Sequence, residues 1–236
     1  MSAVGTTVWG EIQGQEITFP MEVTAMNAAT LLFSVPAGPA AALLPGDAFE
    51  VVEVAPGTAQ LVVALCDYVE NPWGDYDEVN LGFLARPAGA PADVIGSFVY
   101  RMPVNQAFTC EAGNRVMGFP KTVEDLAFAY TDDGVRVTLA TAEGLQLAVE
   151  LPRAAPLGPA EGVEASSYSY LDGVPHATAL RMDMGTGVID PADVVVELGA
   201  GVIADELRSL GLPTTPDLAT WGEGLTATFQ AGRPLS

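Results

Sequence analysis

Residues 122–151 read TVEDLAFAYTDDGVRVTLATAEGLQLAVEL, and this stretch decides the fold class. Apolar residues alternate with polar ones through Thr122 to Tyr130, Val135 to Thr141 and Leu145 to Leu151, the period-two pattern of strands with one buried face. Asp132-Asp133-Gly134 and Ala142-Glu143-Gly144 part the runs with turn-forming residues, so the three strands are expected to form a meander joined by hairpin loops. The same alternation recurs upstream in Ile17 to Met26, Ala59 to Val69, Tyr76 to Ala85 and Ser97 to Pro103. Helical signals are few and short. Gly38 to Leu44 is rich in Ala, Asn105 to Ala112 has Asn105 as N-cap and Gly113 as stop residue, and Ile203 to Leu210 ends at Gly211 and Pro213. The sum predicts a mainly β protein of α+β class, with an antiparallel sheet curved or closed like a barrel around an internal cavity. The Pro-, Gly- and Ala-rich segment 154–162 reads as a loop inside one domain spanning 1–236.

Composition narrows the function. An apolar fraction of 49% argues for a packed core and against disorder. Thirty acidic residues against nine basic ones give a formal charge of -21, which repels nucleic acid and anionic lipid. The uncharged stretch from Asn27 to Gly46 is broken by Pro36, Gly38, Pro39 and Pro45, so it is not expected to span a membrane. The opening Met1 to Gly5 has no basic segment leading into an apolar one, and a cytoplasmic location is the expectation. Cys66 and Cys110 lie too far apart for a zinc-ligand pair, and His176, the single histidine, follows a turn signal and reads as a surface or turn residue. No metal site is read, and no glycine-rich phosphate loop calls for a nucleotide cofactor.

The chain has one lysine, Lys121, and its surroundings are unusual. It follows a short helix, a glycine-containing turn and Pro120, and it enters a strand with Met117 and Phe119 as candidates for an apolar wall. An ammonium ion cannot attack a carbonyl, and removal from water favours the neutral amine. Read locally, Lys121 is either a desolvated nucleophile of this kind or an exposed lysine at a strand end. Glu78 shares one face of its strand with Tyr76 and Asn80, a face that lines a cavity or meets solvent.

Gly118-Phe119-Pro120-Lys121, its lysine eight positions after Gly113, resembles the active-site segment of the acetoacetate decarboxylase family, and Tyr76-Asp77-Glu78 resembles its Tyr-x-Glu strand. The resemblance covers about residues 20 to 200. It implies a β cone with a lysine inside, a Schiff base between Lys121 and a small keto acid without further cofactor, and a proton-shuttling role for Glu78. It also implies assembly into a homo-oligomer. The chain departs from the family at Thr122, where a second lysine stands, at Asn114-Arg115, and in having no basic residue before Arg86 and no glutamate from Leu61 to Asp67. These departures argue against acetoacetate itself. Arg101 and Arg115 are the candidates to hold a substrate carboxylate, though Arg101 equally fits a surface salt bridge. The competing reading is a non-catalytic small-molecule-binding protein built on the same cavity.

Overall fold

A computed structural model describes residues 5–235; Met1 to Val4, part of the opening stretch read for a leader, and Ser236 lie outside the described residues. The chain begins with β1 (Thr7–Ile12), β2 (Gln15–Phe19), β3 (Met21–Pro36), α1 (Ala37–Ala42), β4 (Phe49–Val51) and β5 (Glu53–Ala55). It continues with β6 (Thr58–Glu70), β7 (Tyr76–Pro87), β8 (Gly96–Val104), α2 (Ala107–Ala112) and β9 (Lys121–Val123). The predicted meander follows as β10 (Asp125–Tyr130), β11 (Gly134–Thr141) and β12 (Gly144–Pro152). The last part holds β13 (Glu161–Leu171), β14 (Val174–Met184), β15 (Gly187–Ile189), β16 (Val195–Leu198), α3 (Val202–Ser209), β17 (Leu218–Phe229) and β18 (Arg233–Pro234).

Seven strands, in the order β17-β3-β6-β7-β8-β13-β14, close into a barrel because β14 pairs back onto β17. The barrel is mixed rather than wholly antiparallel, since β13 runs parallel to β8 through Ser167↔Ser97 and Tyr168↔Phe98. A parallel neighbour needs a long crossover, and the chain between them supplies it. That crossover carries α2, β9 and the meander. β9 then joins β8 in parallel through Met102↔Lys121, so the strand that begins with Lys121 borders the barrel wall.

A second sheet, β10-β11-β12-β16, covers the outside of the barrel. Leu126, Val137, Leu139 and Val149 from it form one apolar core with Leu31, Phe33, Leu61, Leu65 and Phe83 from β3, β6 and β7. Each such side chain fully buried contributes about 1.5–3 kcal/mol. Gln146, fully buried on β12, pins α3 to this layer: its Oε1 accepts from the backbone N–H of Ile203 and Ala204 while its Nε2 donates to the carbonyl of Ala200. The middles of strands β3, β6 and β7 are therefore covered on both sides, by packed core on one and the barrel lumen on the other, with exposed residues such as Glu22, Ser34 and Glu70 toward the ends.

Several local expectations are corrected. The run 17–26 divides at Pro20, which has no N–H to continue a ladder, and 122–130 divides at Glu124 into strands of different sheets. The segment 27–46 forms the end of β3, then α1, and among the described residues no helix is long and apolar enough to cross a membrane. His176 is buried on β14 rather than lying at the surface. The helix at 105–112 starts one residue late, capped by Gln106 Oε1 accepting from the N–H of Thr109, and it runs through Gly113 into a π turn, Gly113–Met117. Gly118 ends it, at φ 68, a conformation that favours glycine.

The β6–β7 hairpin sets Asp67 directly opposite Asp77. Burial first, then the charges of Asp67 and Asp75, push the Asp77 carboxyl up to about 7. The folded state thus retains a proton there that the unfolded chain has lost, and stability falls as pH climbs from the ordinary carboxylate range through about 7. Asn at this position keeps an acceptor for the Asn105 amide, 3.0 Å away, without the charge. Asp77→Asn is expected to match the parent in thermal melts near pH 4 and to exceed it at pH 8 by a few degrees. That is the roughly 2–4 °C that 1 kcal/mol moves a domain of this size, allowing for partial solvent screening. An unchanged difference between the two pH values would contradict it.

A candidate active site at Lys121

The α2 segment, the π turn and Gly118 together aim Lys121 into the barrel. A Cβ on Gly118 would lie 2.4 Å from the carbonyl oxygen of Tyr170, so the turn that reverses the chain toward β9 admits no side chain. Asn114, on the π turn, grips the lysine backbone from both sides: its Oδ1 accepts from the Lys121 N–H at 2.9 Å and its Nδ2 donates to the Lys121 carbonyl at 3.0 Å. Gly113 leaves the room the stem needs. A Cβ there would lie 2.6 Å from Lys121 Cδ and 2.7 Å from Cε. The residue read as a helix stop is present for space.

Lys121 is 7% exposed and Glu78 4% exposed, and Nζ lies 2.6 Å from Glu78 Oε2. Nζ also donates to Thr109 Oγ1 at 3.1 Å and stands 5.1 Å from the centre of the Tyr76 ring. The other carboxylate oxygen, Oε1, accepts from Asn80 Nδ2 at 3.1 Å and from the Tyr68 hydroxyl at 3.4 Å. Tyr68 stacks on Tyr76 with ring centres 4.5 Å apart. Burial, followed by the charge of Glu78, pushes both phenols well above their ordinary range, so each remains an O–H donor. The Cys66 thiol, cross-strand partner of Glu78, is likewise pushed up by burial and then by Glu78. Burial thus favours the protonated, less nucleophilic form of this thiol.

This group forms part of the wall of a cavity of ≈ 310 Å³ inside the barrel. The structure brings Lys121, Glu78, Tyr76, Met117 and Phe119 together on it, along with Trp73. The polar face of β7 meets the lumen and not solvent.

Arg101 and Arg115 are not brought there. Between Leu81 and Gly82 the β7–β8 register slips, Leu81 opposing Arg101 and Gly82 opposing Val99. The slip breaks strict alternation, so Val99 and Met102 face the lumen while Arg101 forms a two-pronged pair with Glu206 of α3, at 2.6 and 3.0 Å. Arg115 sits exposed on the outer side of the π turn, paired with Glu111 one helical turn earlier. Neither arginine is placed to hold a substrate.

Sequence reasoning missed Thr109, Asn114, Tyr68 and Cys66. Three of them carried a usable signal. The predicted helix puts Thr109 four residues before Gly113, hence on one face with it, and the hairpin register that places Glu78 also places Cys66 and Tyr68 across from Glu78 and Tyr76.

The Gly113 contact is open to test. Alanine suits its helical backbone, φ -60 and ψ -43, so Gly113→Ala is expected to fold normally. Displacing the lysine stem should lower any carbonyl chemistry at Nζ on the order of 10²-fold. Unchanged reactivity of Lys121 toward a carbonyl probe, with circular dichroism also unchanged, would show the close fit to be irrelevant.

Comparison with known proteins gives a consistent result. The family model described as acetoacetate decarboxylase (ADC) matches residues 11–224. No curated protein matches the sequence significantly. Among solved structures, the acetoacetate decarboxylase of Legionella pneumophila subsp. pneumophila str. Philadelphia 1 is similar with a TM-score of 0.66 at 15% identity, over 92% of this chain and 87% of that one. The enduracididine biosynthesis enzyme MppR complexed with pyruvate is similar with a TM-score of 0.62 at 14% identity, over 98% of both chains. An acetoacetate decarboxylase-like enzyme from Sphingomonas wittichii RW1 gives 0.61 at 14% identity, over 98% of this chain and 99% of its own. With a family match running through nearly the whole barrel, the chain belongs to the acetoacetate decarboxylase family.

Proposed function

We propose that this protein is a lyase-type enzyme that joins the Lys121 amine to the carbonyl carbon of a keto acid or related carbonyl compound as a Schiff base. One observation carries the reading: a buried lysine amine held 2.6 Å from a buried carboxylate at the edge of an apolar cavity. Two opposite charges there are costly to desolvate, and moving one proton from Nζ to Glu78 Oε2 leaves a neutral amine beside a neutral acid. The amine lone pair then forms the N–C bond as the carbonyl π pair moves to oxygen, which takes the Glu78 proton. Nitrogen returns a proton to Glu78, and its transfer to the new hydroxyl expels water and leaves an iminium.

The iminium accepts the electron pair released at the adjacent carbon. From a β-keto acid that pair comes with loss of carbon dioxide. From a pyruvate-like or simple ketone it comes with transfer of an α-proton to Glu78, giving an enamine able to add to an aldehyde or to expel a β-hydroxyl. The neutral phenols of Tyr68 and Tyr76 stand ready to donate to oxygen in these intermediates. Family membership and the likeness to a protein in complex with pyruvate support the keto-acid class.

The test is reductive trapping with cyanoborohydride and a panel of carbonyl compounds, mapped by peptide mass. The expected mass gain sits at Lys121 and is absent in Lys121→Ala, whose melting curve still shows a folded protein. A Lys121→Ala protein that kept full turnover would overturn the mechanism, and a folded parent that trapped nothing would favour the non-catalytic binding reading. Glu78→Gln is expected to slow exchange of the substrate α-proton for deuterium by about 10²–10⁴-fold, the range of general acid–base catalysis. Full-rate exchange in that variant would remove Glu78 from the scheme.

A further inference from the structure

The chain has eight arginines and one lysine, and no arginine lines the cavity. Among the described residues the only cation there, Lys121, is already paired with Glu78. A substrate carboxylate in the lumen would be a second negative charge with no positive partner of its own, the costly case of a buried unpaired ion.

The remainder of the wall is mostly apolar, its other polar groups being neutral ones such as the hydroxyls of Thr30, Ser97 and Ser167. Six of the chain's seven methionines, Met21, Met26, Met102, Met117, Met182 and Met184, line this one cavity, while Met1 lies outside the described residues. Unbranched thioether side chains fit themselves around irregular apolar bodies. The lumen also has reach. From Glu78 it follows β7 to Gly82 beside Ala64 and Val62 of β6, a small-residue lane of four strand steps, about 13 Å. A cavity of ≈ 310 Å³ equals the liquid volume of about ten waters, well beyond what acetoacetate fills.

We infer that, among the carbonyl compounds the Schiff-base reading admits, the substrate is an uncharged ketone or aldehyde and not a keto acid, with an extended apolar body, its carbonyl at Lys121 and its body along the methionine-lined lumen; the enamine route, and not loss of carbon dioxide, is then the one used. The position of the carbonyl rests on the Schiff-base reading; the character of the body rests on the cavity alone. The experiment uses the unmodified protein with three probes: 2-nonanone, 8-oxononanoate, which is the same chain ending in a carboxylate, and acetoacetate. Cyanoborohydride trapping at Lys121 is measured against probe concentration. Half-saturation is expected at a concentration at least about tenfold lower for 2-nonanone than for either acid. Equal or better trapping of an acid overturns the inference and leaves the Schiff base intact. If no probe is trapped, the Schiff-base reading fails, and calorimetric titration of the same three compounds decides the inference separately. Tighter binding of 2-nonanone upholds it, and equal or weaker binding overturns it.

Discussion

Among the described residues, the Lys121 ammonium and the Glu78 carboxylate are the charged groups on a cavity whose wall is mostly apolar, and the surrounding architecture holds them 2.6 Å apart out of water. Such a pair is poor as a source of stability, because desolvating both ions consumes most of their attraction. The barrel makes it possible. Strands β3, β6 and β7 are packed against the meander sheet on their outer face, and a second buried apolar cluster that includes Met21, Met26, Tyr68, Trp73 and Phe119 surrounds the lumen. The inner face is thereby free to hold an open space and a polar group that a fully packed interior would reject.

How each half of the pair is positioned differs, and so did its legibility. Glu78 sits on a regular strand, and alternation alone put Tyr76, Glu78 and Asn80 on one face; the closure of the barrel decided that this face looks inward. The meander was equally readable, because Gly134 and Gly144 mark both of its loops and its strands have one buried face. The long strand β3 was not, since its middle, Ala25 to Phe33, has apolar residues on both faces, interrupted only by Asn27 and Thr30, and so shows little period of two. Arg101 went astray for a third reason. Alternation is a local rule, and one slipped pair between β7 and β8 reverses the facing of every residue beyond it.

Gly113 illustrates a different limit. Glycine after a helical run normally signals an end, and the sequence contains nothing local to say otherwise. Its reason lies eight residues ahead, in the methylenes of Lys121 that cross it. A residue chosen for a tertiary contact carries the same letter as one chosen for a turn. Asn114 is similar: its side chain supplies the Lys121 backbone with an acceptor and a donor, as a neighbouring strand would, and no spacing rule announces that. The fold is shared with solved structures at 14–15% identity, as expected where barrel pairing tolerates many apolar choices.

The lysine is not carried by any of the seven barrel strands. It stands at the start of β9, a three-residue strand on the crossover between β8 and β13, clamped by the π turn that precedes it. The lysine and the vessel are consequently separate parts. Substitutions among the methionines and small residues of β3, β6 or β14 can reshape what the vessel admits without shifting the amine, and the turn can be tuned without reopening the wall. A lineage built on this plan can exchange one cargo for another by a few replacements inside the wall, while its reactive centre is inherited unchanged.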